Sequence, residues 1–465
     1  MISRRNILLS GAALAALPRS ANAQRSSITL EPKKGLARLA PDDLPETAIW
    51  GYGGKVPGPE IRVMQGEQVS ATLSNGLAQP TTVHWHGIRI NNAMDGVTAL
   101  TQDAVQPGQS FDYRYTAPDA GTFWYHPHNR TWEQMARGLY GPLIVEEKNP
   151  PRYDRDLVLM LDDWRLNEEG AIDGASFGSL HDWSHSGRLG NWPTVNGRPQ
   201  PEYPVRQNER LRLRLINAAN ASVLVLRLNG MDAQIVAHDG MPIIPKKLTG
   251  TIFLAPAQRI DLIADVTDAA KASLMLTGRE SFEACSFPVE GALRDAPLTD
   301  PVALPPNPLN TIVDLANAVR ATLTIEGGAM SGLAEARIGG FGARYRGETE
   351  SEGPVPIRAM ASSRGLVWAM NGVAGMPLDP LFSVKAGQTV IVKIVNEGAW
   401  PHAMHFHGHH FRETRDGAPW RDTLLLTRNK TKEIAFVADN PGRWMLHCHM
   451  LEHQAGGMAT WFEVT

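Results

Sequence analysis

The chain has only two cysteines, Cys285 and Cys448, among 465 residues. That excludes a small scaffold stapled by several disulfides. Charge bias is absent too: the formal net charge is −3, with neither the basic patch of a nucleic-acid binder nor the acidic run of a disordered tail. No nucleic-acid partner is expected. After residue 23 no apolar run reaches the length of a membrane helix, so no membrane span is expected. What is plentiful is Gly (43) and Pro (33), which suits short strands joined by many turns and points to an all-β protein. A chain of this length exceeds a single small core, and about 100 to 200 residues per domain suggests three units.

Residues 1–23 stand apart from the fold. Arg4-Arg5 precede an apolar run from Ile7 to Leu17 and then the small-x-small sequence Ala21-Asn22-Ala23. This is the pattern of a twin-arginine export signal, with an ordinary secretory leader or a short anchor as alternatives. The mature chain is expected to begin near Gln24 and to be a periplasmic or secreted, soluble monomer. In such an oxidising compartment a Cys285–Cys448 disulfide is the ordinary expectation; the neighbours of Cys448 argue against it.

One strand pattern occurs three times. Val63 to Asn75, Val205 to Asn217 and Val384 to Asn396 each run from an apolar residue through a turn into an alternating strand that ends on Asn. The copies lie 142 residues (Val63 to Val205) and 179 residues (Val205 to Val384) apart, too far for a solenoid and right for tandem β-sandwiches. Domains are therefore expected near 24–150, 151–300 and 301–465. The linkers would be Lys148-Asn-Pro-Pro151 and the Pro-rich stretch from Pro297 to Leu309.

Ten of the fifteen histidines fall into four clusters. These are His84-Trp-His86-Gly87, His126-Pro-His128, His402-Ala-Met-His405-Phe-His407, and His447-Cys448-His449 continued by His453 and Met458. A single H-x-H on a strand is weak evidence, because paired histidines are often surface or hydrogen-bonded core. Four of them change the reading. Alternation puts residues i and i+2 on one face of a strand, so each pair presents two imidazoles together, and imidazole suits copper. In His447-Cys448-His449 the imidazoles face one side and the thiolate the other. On the thiolate side Cys448, His453, Met458 and His402 supply the two-His, one-Cys set with a weak axial Met that marks a blue electron-transfer copper. Such a thiolate is held by its ion and is not free for a disulfide. Zinc, the competing metal, is satisfied by four ligands and leaves most of these histidines without a use.

In this order, split between the first and last domains, the four motifs resemble those of the multicopper oxidase family, in its laccase-like three-domain bacterial form. The resemblance spans essentially the whole mature chain. It implies three cupredoxin-like Greek-key β-sandwich domains and four copper ions. His402, Cys448, His453 and Met458 would hold a type 1 copper, His84 and His405 a type 2 copper, and His86, His126, His128, His407, His447 and His449 a type 3 pair. The implied partners are O2 and small reducing substrates: phenols, aromatic amines or metal ions. Electrons would enter at the type 1 site and pass from Cys448 through the backbone to His447 and His449.

Asp95 lies nine residues after His86 and matches the family's proton-donating acid; a plain turn Asp before Gly96 is the alternative. Glu452 is expected to order the type 1 loop. The sequence departs from the family at Ala403, where Pro is usual, and at Gln454, where many bacterial relatives carry an acid. A metallo-oxidase would show a Met-rich insertion, whereas Met330, Met360, Met370 and Met376 are scattered. A copper-free scaffold of the same fold would have lost ligands, and none is missing. His181, His185, His238, His409 and His410 fit no ligand position and read as surface or hydrogen-bonded residues. Trp85, Trp124, Trp132 and Trp444 read as core packing.

Overall fold

The computed structural model describes residues 28–465 except 269, 279–280, 342–350 and 352. Residues 1–23, expected to be an export signal, lie outside the described residues. Strands dominate, and the tripled sequence pattern becomes a tripled strand–turn–strand unit. The copies are Ile61–Met64 with Gln68–Ser74, Val205–Gln207 with Arg210–Asn217, and Ser383–Val384 with Thr389–Asn396. The closing asparagine has the same task each time. Asn75, Asn217 and Asn396 each donate through Nδ2 to two loop carbonyls and accept at Oδ1 from the N–H two residues on. Backbone groups in a tight, buried turn need such partners, which accounts for the recurrence of Asn there.

Pairing repeats as well. The second strand of each unit lies parallel to an earlier strand, Ile28–Leu30, Arg155–Trp164 or Val319–Gly327. The first strand of each unit lies parallel to a later one, Gly141–Glu146, Phe282–Ala292 or Ala459–Val464. Three β-sandwiches result, each around its own apolar core, centred on residues such as Trp85 and Phe123, Leu213 and Phe287, and Phe406 and Phe462.

Two features differ from a plain reading of the pattern. The arginines that alternate with leucine in Arg210–Asn217 are not solvated: Arg212 pairs with Glu147 and Asp261, and Arg214 with Asp156, in the seam between the first two sandwiches. The Pro-rich stretch before the third sandwich is irregular but anchored, with Asn307 exchanging two hydrogen bonds with the backbone of Ala120 (both 2.8 Å). Among the described residues no helix is long and apolar enough to cross a membrane.

Candidate metal centre

Register brings the four motifs together. In the first sandwich His84–His86 runs antiparallel to Gly121–His126, placing His84 opposite His126. In the third, His402–Phe406 pairs with Gly442–Cys448, placing His405 opposite His447 and Met404 opposite Cys448. The histidine faces of the two sandwiches meet. Ligand atoms of His86, His126 and His449 lie within 4.8 Å of one another, as do those of His128, His407 and His447, and those of His84, His86 and His405. On the other face of the Cys448 strand, His402, Cys448 and His453 form a fourth group.

The donor chemistry fits metal ions. His407 Nδ1–H donates to Asp95 Oδ2 (2.9 Å) and His447 Nδ1–H to the Cys448 carbonyl (2.9 Å). Both Nε2 atoms are then bare lone pairs, yet they face each other at 3.0 Å. Two lone pairs at that distance repel unless a cation lies between them. His126, whose Nδ1–H donates to the Pro127 carbonyl (3.0 Å), likewise turns Nε2 towards His449 Nε2 at 3.3 Å. His84 Nε2 and His405 Nε2 are buried without any partner, and both are bare lone pairs because each ring spends Nδ1–H on a carbonyl, of Asp95 (2.8 Å) and Asp422 (3.0 Å). Burial, then mutual repulsion, holds His126, His128, His407, His447 and His449 well below the ordinary histidine pKa, so these rings are neutral and ready to ligate.

At the thiolate side His453 Nε2–H donates to the His185 carbonyl (2.7 Å), leaving Nδ1 to face His402 Nδ1 at 3.1 Å. Cys448 Sγ is 3.8 Å from both Nδ1 atoms. Trp368 packs on both rings. Met458 is fully buried beside Cys448, with its carbonyl accepting from Cys448 N–H (3.2 Å). Burial pushes the Cys448 thiol up to about 12, so a thiolate here needs a cation to hold it. Both cysteines are free and buried, and no disulfide joins them.

Of the other expected residues, Asp95 is buried and bonded to two histidines from different sandwiches, His84 and His407. Its turn depends on Gly96 at φ +79, where a Cβ would collide with the Val83 carbonyl. Glu452 is anchored on the middle sandwich, accepting from Arg188 N–H (3.0 Å) and Asn220 Nδ2 (2.9 Å). Gln454 lines a cavity of about 670 Å³ with His128, Trp132, Trp183, Met376 and Leu451. Trp132 is thus half-buried at a cavity wall, while Trp85, Trp124 and Trp444 are core residues. His181 is exposed, and His409 and His410 are buried.

Three participants escaped the sequence reading. Asp422 accepts from His86 Nε2–H (3.2 Å) at its carboxylate and from His405 Nδ1–H at its carbonyl. Burial acts to raise its pKa, but Arg259 and His86 override that and hold the carboxyl well below the usual range. Arg259, from the middle sandwich, grips Asp422 with both Nη atoms (3.0 and 2.6 Å). The third is the His185 carbonyl over His453. None belongs to a motif: the first two are 163 residues apart, and a backbone carbonyl leaves no trace in composition.

Comparison with known proteins agrees with this architecture. Three matches to the multicopper oxidase family cover residues 36–150, 155–283 and 349–465. Lac15 from a marine microbial metagenome superposes with a TM-score of 0.75 at 38% identity, over 94% of this chain and 100% of that one. Multicopper oxidase MmcO of Mycobacterium tuberculosis is 29% identical, over 97% of this chain and 88% of its own. Other relatives are named as laccases, iron transport oxidases and a copper resistance protein. The chain belongs to the multicopper oxidase family: it is an oxidoreductase of three cupredoxin-like domains that uses four coppers, with O2 as the electron acceptor.

Proposed function

We propose that the protein is a laccase-like oxidase, exported by its twin-arginine segment, that takes single electrons from phenols or aromatic amines. His402, Cys448, His453 and Met458 hold the type 1 copper; His84 and His405 hold type 2; and His86, His126, His128, His407, His447 and His449 hold the type 3 pair. Bound copper supplies the one-electron steps and the four-electron reduction of O2 to two waters. The chain does the rest: Cys448 joins the two sites through its own backbone, and Asp95, bonded to His84 and His407, is the group poised to deliver protons. The observation that carries the organic-substrate reading is the 670 Å³ cavity, whose wall of Trp132, Trp183, Met376 and Leu451 suits an aromatic ring and reaches Gln454, next to His453.

A second reading, oxidation of a metal ion, is favoured by one observation. His453 is fully buried and its outer nitrogen is covered by the His185 carbonyl, while His185 stacks on the exposed His181 (ring centroids 4.1 Å) as a potential ion-docking pair. Steady-state rates with a phenol, an aromatic amine and Cu(I) decide between the two. Trp132→Ala is expected to raise KM for the organic substrates about 10-fold, an interface-sized loss. If it leaves them unchanged while His181→Ala abolishes Cu(I) oxidation, the metal-ion reading replaces the first.

A further inference from the structure

The middle sandwich contributes none of the expected copper ligands, yet its Arg259 reaches the carboxylate that holds His86. Arg259 is fully buried, and its guanidinium touches all three sandwiches. Nε donates to the Thr122 carbonyl (3.0 Å) in the first, Nη1 to the Ala257 carbonyl (3.1 Å) in its own, and Nη1 and Nη2 to Asp422 in the third. Asp422 Oδ1 also accepts from Thr423 Oγ1 (2.7 Å) and His86 Nε2–H, while Oδ2 lies 3.8 Å from His410 Nε2. Asp239 completes the set, accepting from the Arg259 backbone N–H (2.9 Å).

We infer that Arg259 is a positioning residue for the copper cluster: by clamping Asp422 it fixes which ring nitrogen His86 and His405 turn to the metal. The inference rests on the ligand assignment proposed above. His86 spends Nε2–H on the carboxylate, so Nδ1, which is buried and has no partner, is the atom left for a metal. His405 spends Nδ1–H on the Asp422 carbonyl, so its unpartnered Nε2 is left. The two rings come from different sandwiches and stack 3.8 Å apart at 20°. Without Arg259 the carboxylate would be held through Oδ1 alone, by Thr423 and His86, and could rotate about its last torsion, and a flip of the His86 ring would then present the wrong nitrogen. Two parallel N–H···O bonds from a guanidinium remove that freedom, which a lysine ammonium cannot do. Gly87 is part of the device. At φ +86 it lies so close that a Cβ would run into Arg259 Nη2 and Asp422 Oδ2. Asp95 performs the matching service, its carboxylate for His407 and its backbone carbonyl for His84, so each of the two aspartates holds one histidine from each outer sandwich.

The rival explanation is that Arg259 only holds domains together. Arg212 supplies the control, being equally buried in the same seam and paired with Glu147 and Asp261, neither of which bonds a cluster histidine. Arg259→Lys, Arg259→Gln and Arg212→Gln would be prepared as apo-proteins and titrated with copper. The type 3 pair is read by its near-ultraviolet band, the type 2 ion by paramagnetic resonance, the type 1 ion by its blue band, and folding by thermal melting. Removing an orienting partner typically costs 10- to 100-fold in metal affinity. Both Arg259 variants are expected to weaken copper binding at the type 3 pair, which His86 serves, and at the type 2 site by about that factor with the blue band retained, and Arg212→Gln to lower only the melting temperature. Equal type 3 and type 2 affinities in Arg259→Lys and the parent overturn the inference. So does parallel loss of melting temperature and copper in the Arg259 and Arg212 variants. Should Arg259→Gln fail to fold, Arg259→Lys decides alone, and should that fail too, Arg259 is a folding residue and the inference falls. A parent that binds no copper would instead defeat the ligand assignment itself.

Discussion

His447 and His449 face one group of histidines and Cys448 another because a strand sends neighbours to opposite faces, and the same geometry tells which single changes will affect one group and spare the other. Met458 is buried on the thiolate side, within backbone reach of Cys448 and His453. Met458→Leu is expected to keep the blue band and raise the type 1 potential, since a weak sulfur donor to the oxidised ion is lost; redox titration of the blue band measures it. Loss of the band would mean that Met458 builds the site rather than tunes it. Asp95→Asn retains an acceptor for His407 but cannot cycle a proton. Copper content and type 1 reduction should stay near the parent's while reoxidation by O2 slows roughly 10- to 100-fold, followed by stopped flow. A variant that reoxidises at the parental rate would reduce Asp95 to an orienting role. The clustered histidines proposed as ligands were legible because H-x-H is a local pattern with a fixed geometric meaning. Asp422 and Arg259 were not, because their pairing is set by how separate sandwiches dock.

At the level of elements, the tripled strand–turn–strand unit was readable from apolar alternation and its final Asn. The fate of the alternating arginines in Arg210–Asn217 was not, since alternation says which face is polar and not what lies against it. The lid over His453 also went unseen: the short helix Leu180–Ser184 ends so that His185 offers a backbone carbonyl, and His181 and His185 looked like surface residues. The turn after His84–His86 gives a direct test of how tightly the elements dock. Gly87→Ala must take a positive φ and push against Arg259 and Asp422. It is expected to destabilise the apo-protein by about 1–3 kcal/mol, measured by urea unfolding. An unchanged midpoint would show that the seam has room to give.

Taken whole, the molecule is a set of sandwiches that buries neutral histidines where they meet, and that has a consequence for pH. Burial depresses these rings in the folded state, to about 4 for His453 and His410, while the unfolded chain titrates near 6.5. Below about 6.5 the unfolded state therefore takes up protons that the folded state refuses, so their contribution is intact above that pH and is lost as the pH falls towards the folded values. Melting temperatures of the apo-protein should drop between pH 7 and pH 5, and copper should shift the drop to lower pH because protons and metal compete for the same lone pairs. A flat profile would mean that acid groups elsewhere compensate.

These lone pairs and this thiolate are proposed to form a four-copper site that couples substrate oxidation to O2. Metal analysis of the copper-loaded protein, with optical spectra through one cycle of anaerobic reduction and air reoxidation, tests it most directly. The account requires four coppers per chain and a blue band that bleaches with reductant and returns as O2 is consumed. Fewer coppers with no blue band, or zinc in the histidine groups and no O2 uptake, would contradict it.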